Sequence, residues 1–214
     1  MERLRIRFEK NEHMRYIGHL DLFKAWERTF RRAHLPLAYS QGFHPQPRLH
    51  LASALPLGFT SQCEVLDVWL EDELPIEEVG TALEETMPPG IKIGAIQLVD
   101  LRQPSLQTRV ISADYEITLL EPVPHLDQDL RALREADSLP RQRRGKAYDL
   151  RPLIEALDRL PDGSDNHPRL YARLTAQEGA TGRPEELLGV LGIPVENARV
   201  HRTRLNFIQE TPLP

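Results

Sequence analysis

The apolar residues of this chain change repeatedly between a period of two and helical spacing, and the order of these changes constrains the fold more than any other feature. The first segment, RLRIRF, alternates, with Leu4, Ile6 and Phe8 on one side and arginines on the other. Residues 19–34 then carry apolar side chains at helical spacing, at Leu20, Phe23, Trp26, Phe30 and Ala33. The first pattern predicts a half-buried strand, and the second predicts an amphipathic helix.

The rest of the chain continues in the same way and then repeats the order. The first half goes on with a short extended piece at PLAYS, a strand over 62–71, a helix that begins near Pro75 and a strand over 91–101. The second half has strands over 108–121, 145–157, 169–176 and 198–208, with helices over 124–137 and 183–192. Each half therefore reads as strand, helix, strand, strand, helix, strand.

Two βαββαβ units in one chain predict an α+β protein of tandem ferredoxin-like architecture. The predicted boundaries are 1–101 for the first unit, 102–107 for a linker and 108–214 for the second unit. In such a unit both helices cover one face of the sheet. The other face is then predicted to carry a basic strip, formed by Arg3, Arg5 and Arg7 in the first unit and by Arg169, Tyr171 and Arg173 in the second.

Composition excludes several classes of protein. The chain of 214 residues contains one cysteine, which excludes a disulfide framework, a cysteine metal site and an iron–sulfur cluster. It contains no phosphate-binding loop, no dinucleotide-binding glycine motif and no nucleophile elbow. No apolar run is long enough for a membrane span, and the charged amino-terminal segment is not a signal peptide. We expect a cytoplasmic protein that binds no cofactor and does not associate with a membrane.

Charge is distributed unevenly, although the net charge is only −5. Residues 61–86 hold nine acidic residues and no lysine or arginine. Residues 141–151 hold five bases, Arg141, Arg143, Arg144, Lys146 and Arg151, against the single acid Asp149. This asymmetry indicates either a molecule with one basic face or two solvated surfaces of opposite sign.

The segment AYSQGFHPQPRLHLA, residues 38–52, has the densest group of candidate binding residues. Tyr39 and Phe43 are suited to stack on bases, and Arg48 is suited to pair with a phosphate. His44 can donate a hydrogen bond or act in acid–base catalysis, Gln41 is a further polar contact, and Gly42 allows a ligand close to the backbone. The alternative is a rigid loop whose aromatic side chains plug the interface between the two predicted units.

Two further groups of side chains are candidates. His19 and Asp21 lie at the start of the first helix, and His19 or His44 is a weak candidate for a general acid or base. Together these three residues match no standard zinc spacing, so no metal site is predicted. Arg151, Arg202 and Arg204 are suited to hold a phosphate or a carboxylate, or to pair with the acidic run.

The stretches YIGHLDL, YSQGFHP and ALPLG, with YDLRPLI and ARVHRTRL further on, resemble the radical-SAM-linked domain of unknown function, and the resemblance spans nearly the whole chain. In that family the domain occurs alone or fused behind a radical SAM domain. The resemblance implies an accessory role beside a radical SAM protein, because one cysteine cannot hold the radical SAM cluster. The double ferredoxin-like architecture also resembles that of the RAMP proteins of CRISPR systems, which bind and sometimes cut RNA.

Three functions are therefore open. The first is an accessory module that binds RNA and works with a radical SAM enzyme that modifies it, through His19, Asp21, the residues of the 39–48 segment and the three arginines. The second is a protein–protein adaptor for a radical SAM enzyme, with the acidic run docked on a basic partner. The third is a metal-independent endoribonuclease of RAMP type that uses His19 or His44.

Overall fold

The computed structural model describes residues 1–143 and 145–208, and the chain divides into two compact units, Met1–Arg109 and a second unit that begins at Val110. Both units mix helices with antiparallel strands, so the protein is of the α+β class. Arg144, a member of the predicted basic run, lies outside the described residues. None of the helices in the described ranges has the length and hydrophobicity that crossing a membrane requires.

The first unit contains four strands and two α-helices. In chain order these are β1 (Glu2–Lys10), α1 (His19–Arg32), β2 (Leu49–Leu51), β3 (Thr60–Leu70), α2 (Ile76–Thr86) and β4 (Ile91–Val99). Strand β1 pairs with both β3 and β4, and β2 pairs with β3, all antiparallel. The strand order is therefore β4-β1-β3-β2, with one helix in each crossover connection.

The core of the first unit follows directly from the alternating pattern. Leu4, Ile6 and Phe8 of β1 are fully buried and belong to the same cluster as Trp26 and Phe30 of α1. The rings of Phe8 and Trp26 meet edge to face, with their centroids 4.9 Å apart. The predicted inward faces of the first strand and the first helix are confirmed, although the outermost position of that helix, Leu20, is exposed.

The opposite face of this sheet is not the basic strip that the alternation predicted. Arg3 is buried and donates hydrogen bonds to the buried carboxylate of Asp67, and Arg5 donates to the same carboxylate. The backbone carbonyls of Gln103 and Pro104, from the segment predicted to be a linker, accept two more hydrogen bonds from Arg3. The prediction was wrong for Arg3 and Arg5 because both guanidinium groups are paired with a carboxylate on the neighbouring strand.

The second unit has more elements than the first. They are β5 (Val110–Leu119), α3 (Leu126–Glu135), β6 (Pro140–Arg143), β7 (Lys146–Asp149), β8 (Ile154–Leu160), β9 (Arg169–Gln177), β10 (Ala180–Thr181), α4 (Pro184–Val190) and β11 (Ala198–Phe207). Antiparallel pairing joins β8 to β9, β9 to β5 and β5 to β11. The strand order β8-β9-β5-β11 places the strands as in the first unit.

One predicted strand of the second unit is divided in the structure. Residues 145–157 contain β7, a 3-10 turn at Arg151–Leu153 and the first part of β8. Strand β7 pairs with β6 as a separate two-stranded ribbon, and only β8 joins the main sheet. The reason is Pro152, which has no N–H for a ladder and begins the 3-10 turn between the two strands.

The second unit also neutralises its predicted basic strip. Arg173 donates two hydrogen bonds to the buried carboxylate of Asp114, and Arg169 donates to Glu116. Burial alone raises the pKa of the Asp114 carboxyl, but hydrogen bonds from Arg173, Asn206 and Tyr171 outweigh it and hold the pKa below its usual value. The prediction of an uncompensated basic strip was therefore wrong here for the same reason as in the first unit.

Candidate functional site

Residues 39–48 form a loop with a hydrogen-bonded base, and we call it the 39–48 loop. Tyr39 and Pro47 form an isolated antiparallel bridge, and the Ser40 N–H donates to the Gln46 carbonyl oxygen at 2.8 Å. The Gln46 N–H returns a hydrogen bond to Ser40 Oγ at 3.0 Å. These bonds close the base of the loop, so its tip has a defined position relative to the sheet.

The tip of the 39–48 loop is exposed, and it carries an aromatic ring. Residues 41–46 are all exposed, and the Phe43 side chain has a relative accessibility of 102%. Gly42 has a φ of 136°, which a residue with a side chain rarely adopts. Gly42 thus allows the sharp turn that presents the Phe43 ring to solvent.

Both arms of the loop are attached to strand β3. The Ala38 N–H donates to the Trp69 carbonyl oxygen at 2.9 Å, and the Trp69 N–H donates to the Arg48 carbonyl oxygen at 3.0 Å. The Arg48 guanidinium carbon lies 4.9 Å from the centroid of the Trp69 ring. Since Trp69 is buried, the base of the loop is held by the core of the unit.

A cavity of about 600 Å³ lies beside this base. Its lining includes Tyr39, Gln41 and Arg48 of the loop, together with Met1 and Glu71. Arg48 points a guanidinium nitrogen at the sulfur of Met1, 3.3 Å away. No carboxylate of the described residues forms an ion pair with Arg48. The structure therefore brings together three of the predicted binding residues around one cavity.

Tyr39 connects this cavity to helix α1. Its hydroxyl oxygen accepts a hydrogen bond from Arg31 Nε at 3.2 Å, and the Arg31 guanidinium lies 6.0 Å from the ring centroid. The hydrogen bond to Tyr39 raises the pKa of Arg31, and Glu27, which pairs with Arg31 at 2.8 Å, acts in the same direction. Arg31 thus fixes the orientation of the Tyr39 ring and adds a cation next to the loop.

The two predicted site residues at the start of α1 differ in their exposure to solvent. His19 is the first residue of α1 and is partly buried, whereas Asp21 is exposed in the first helical turn, where it suits the helix dipole. His44 is exposed at the tip of the loop and has no hydrogen-bonded partner among residues 1–143 and 145–208. The His44 imidazole is therefore accessible to a ligand that arrives from solvent.

Arg151 has a structural task in the second unit. Its guanidinium donates to the carbonyl oxygens of Arg134, Ala136 and Ile154 at 2.9, 3.2 and 3.2 Å. Two of these carbonyls lie at the end of α3, where backbone acceptors lack helical partners. Three of its five N–H groups are therefore used within the second unit, which indicates a structural role for Arg151.

The two remaining arginines lie on β11. Arg202 is buried, with its guanidinium carbon 5.6 Å from the centroid of the Tyr115 ring. Arg204 is exposed on the same strand. Burial makes Arg202 unsuitable for a phosphate that arrives from solvent, whereas Arg204 keeps the exposure that such a contact requires.

Some residues of the site were not among the sequence candidates. Strand pairing places Glu2 opposite Leu70, and this register brings the preceding Met1 and the following Glu71 to the same edge. Trp69 joins the site because its carbonyl oxygen accepts the Ala38 N–H and its own N–H donates to the Arg48 carbonyl oxygen. These contacts depend on pairing between segments that are distant in sequence, which the pattern of a single strand does not contain.

The fold and the site define a class of protein: an α+β protein of two units, the first of which presents a fixed aromatic loop beside an arginine-lined cavity. A family model described as an uncharacterized protein conserved in bacteria (DUF2344) matches residues 3–184. The chain belongs to this family. No curated protein matches the sequence.

Two solved structures give a measure of structural similarity. A chain of the structure titled "Crystal Structure of a Cbf5-Nop10-Gar1 Complex" has a TM-score of 0.49 and 11% identity, over 94% of this chain and 48% of that chain. The present chain thus spans about half the length of that chain. The structure titled "An RAMP protein binding different RNA substrates" has a TM-score of 0.26 and 12% identity, over 98% and 100% of the two chains.

Proposed function

We propose that this protein is an RNA-binding module that holds single-stranded RNA at the 39–48 loop. The observation that carries the proposal is the Phe43 ring, which is fully exposed at the tip of a loop whose base is closed by hydrogen bonds. A ring in water stabilises nothing in the unit itself. A loop that holds such a ring in a fixed position is suited to a partner with a flat apolar face.

Unstacked bases of single-stranded RNA present such a face. Stacking of a base on an aromatic side chain contributes about 1–3 kcal/mol per base and accepts any base. Closure of the loop base limits the backbone conformations of the loop, which lowers the ordering cost when a nucleotide stacks on Phe43. Gln41 and His44, which flank the ring in sequence and are exposed, supply hydrogen-bonding groups for base edges.

Arg48 supplies the phosphate contact. It lines the cavity at the base of the loop, and its planar guanidinium can bind two phosphate oxygens at once. Its packing on Trp69 restricts the side chain before a ligand arrives. The site therefore combines a stacking ring with a cation that is already oriented, which is the combination found in proteins that bind single strands.

The strand orders support the architecture on which this proposal rests. Within each unit, the first and third strands are central and pair with each other. The second strand pairs with the third, the fourth pairs with the first, and a helix lies in each crossover. This is the arrangement of a ferredoxin-like unit. We accordingly propose a tandem ferredoxin-like, RAMP-like protein with an inserted β6–β7 ribbon in its second unit.

The sequence resemblance adds a partner to the proposal. A domain that occurs alone or fused behind a radical SAM domain is suited to present a substrate to that enzyme. We propose that the RNA held at the 39–48 loop is the substrate of a radical SAM partner. In this proposal the protein binds the RNA, and the radical SAM partner carries out the modification.

One observation favours the adaptor as a second candidate. Helix α2 exposes Glu77, Glu78, Glu84 and Glu85 and has no basic residue in its last turn. Arg32 of α1 already donates a hydrogen bond to the Thr86 carbonyl oxygen at the end of α2, at 2.7 Å, and the four glutamates leave the rest of the exposed face acidic. A basic protein surface is the partner that fits such an acidic face. In this reading α2 is the docking face and RNA is not bound.

Fluorescence anisotropy separates the two candidates. The purified protein is titrated into a labelled single-stranded RNA and into a labelled hairpin of the same length, at 50 and 150 mM salt. The RNA proposal predicts tighter binding to the single strand and affinity that falls with salt, because phosphate contacts release counterions. No binding to either RNA at the lower salt concentration would contradict it and favour the adaptor.

A further inference from the structure

A second cavity, of about 560 Å³, lies within the second unit. It opens between two turns of the chain: the tip of the β6–β7 ribbon and the turn from β9 to β10. Arg143 and Lys146 line it from the first turn, and Gly179 and Ala180 line it from the second. Its volume is in the range of pockets that hold a small organic molecule.

The charges of this cavity are strongly unbalanced. Arg143, Lys146 and Arg183 contribute three cations to its lining, and Asp149 contributes one carboxylate. That carboxylate already accepts the Leu139 N–H at 2.7 Å and the Arg151 N–H at 2.9 Å. These two backbone hydrogen bonds lower the pKa of Asp149 and keep it ionised, so the lining carries three positive charges against one negative charge.

The three cations lack close carboxylate partners among residues 1–143 and 145–208. The nearest is Glu185 Oε1, which is 3.9 Å from a guanidinium nitrogen of Arg183 and too distant for a hydrogen bond. Glu186, on the same helix, instead accepts a hydrogen bond from Arg141 Nε at 3.0 Å. The donors of the cavity are therefore available to an anion.

The ribbon itself places two of these cations together. Arg143 and Lys146 are paired directly across β6 and β7. Like charges in this position repel and destabilise a two-stranded ribbon. Both side chains line the cavity, so an anion bound between them would replace this repulsion by two attractive contacts.

The walls of the cavity are fixed by close packing. A Cβ atom on Gly182 would lie 2.9 Å from the Leu153 carbonyl oxygen, so only glycine allows the β10–α4 segment to approach the 3-10 turn this closely. Leu153 and the Tyr148 ring also line the cavity and add apolar surface to it. The lining thus combines three cations with an aromatic ring and an aliphatic side chain.

We infer that this cavity binds the phosphate groups of a small phosphorylated molecule with a flat ring, of the nucleoside diphosphate class. Arg143, Lys146 and Arg183 hold the phosphates, and Tyr148 and Leu153 contact the ring. The inference rests on the second unit alone and does not depend on RNA binding at the 39–48 loop.

Isothermal titration calorimetry with ADP and with inorganic pyrophosphate tests the inference on the full chain at low salt. The wild-type protein is expected to bind both with one site per chain. Lys146→Gln and Arg183→Gln each remove charge-assisted hydrogen bonds and are expected to weaken ADP binding about tenfold. Arg131→Gln, at an exposed arginine of α3, is the matched control and is expected to leave the affinity within about twofold.

Three results would overturn the inference. The first is an absence of heat from both probes at millimolar concentration. The second is an equal loss of affinity in Arg131→Gln and Arg183→Gln, since this would show a general attraction of anions to the surface. The third is a parallel loss of ADP and single-stranded RNA affinity in Arg183→Gln, which would assign the cavity to RNA. Unchanged RNA affinity in that variant would support a separate small-molecule site.

Discussion

Arg3 and Asp67 form a buried ion pair across β1 and β3, in which Arg3 Nε and one terminal guanidinium nitrogen lie 3.0 and 2.6 Å from Asp67 Oδ2. Both side chains are almost inaccessible to solvent. Arg5 Nε donates to the other carboxylate oxygen at 2.8 Å. Two arginines on the helix-free face of the sheet thus share one carboxylate, and the carbonyls of Gln103 and Pro104 accept two further hydrogen bonds from Arg3.

Replacement of Asp67 by asparagine is expected to lower the free energy of unfolding by about 3 kcal/mol, since it leaves a buried guanidinium without its counter-charge. Urea denaturation monitored by tryptophan fluorescence measures the change. The matched control is Glu9→Gln, which removes an exposed pair with Lys92 and is expected to cost less than about 0.5 kcal/mol. Equal stabilities of the two variants would contradict the prediction.

The Asp114–Arg173 pair makes stability depend on pH. The pKa of Asp114 is lowered in the folded state, so its carboxylate stabilises the fold above the unfolded pKa of about 4, and this contribution is lost as the pH falls through the folded pKa. The difference in unfolding free energy between the wild type and Asp114→Asn is expected to be largest near neutral pH and to shrink toward pH 3. Urea titrations at several pH values measure it, and a difference that grows on acidification would oppose the assignment.

Gly90 and Gly58 provide a matched test of packing around the loop that follows β1. Both have a positive φ, 100° and 86°, so alanine at either position costs about 1 kcal/mol of backbone strain. A Cβ atom on Gly90 would also lie 2.7 Å from Met14 Cγ, whereas one on Gly58 meets no atom within 4 Å. Gly90→Ala is expected to cost about 2 kcal/mol more than Gly58→Ala in thermal or urea unfolding. Similar costs would show that the Met14 side chain moves aside freely.

A substitution of Arg151 tests whether this arginine stabilises the fold or binds RNA. Because its guanidinium donates to three backbone carbonyls, Arg151→Met is expected to lower the free energy of unfolding by about 2 kcal/mol. The same variant is expected to bind single-stranded RNA as the wild type does, at a temperature where both are folded. A stable variant with weakened RNA binding would return Arg151 to the binding site.

The sequence predicted the elements well where one face of a strand or helix is apolar. The inward face of β1 carries Leu4, Ile6 and Phe8, and that of α1 carries Trp26 and Phe30. Burial of one face imposes a regular spacing of apolar residues, and this spacing can be read from a single segment of the sequence. A strand over 145–157, which contains β7, was predicted, but β6 and its pairing with β7 were not, because the residues of both strands are mostly polar and none of them is buried. Their pairing depends on a turn and not on a buried face.

The candidate site was predictable only in part. The composition of the 39–48 loop identified Tyr39, Phe43 and Arg48, because aromatic residues next to prolines in a polar loop are unusual. The ion pairs of the outward arginines were not predictable, since Asp67 lies about sixty residues from Arg3 in the sequence and contacts it only through the β1–β3 register. In both units, ion pairs between strands that are distant in sequence therefore replace the basic strip that the alternating pattern predicted.

Binding of single-stranded RNA by Phe43→Ala tests the central proposal most directly. The control is Leu98→Ala, which removes an exposed apolar side chain from β4 without touching the loop. Loss of one stacked base is expected to weaken the affinity of Phe43→Ala about tenfold or more, while Leu98→Ala stays within about twofold of the wild type. Equal RNA affinities of the wild type and Phe43→Ala would contradict RNA recognition by the 39–48 loop.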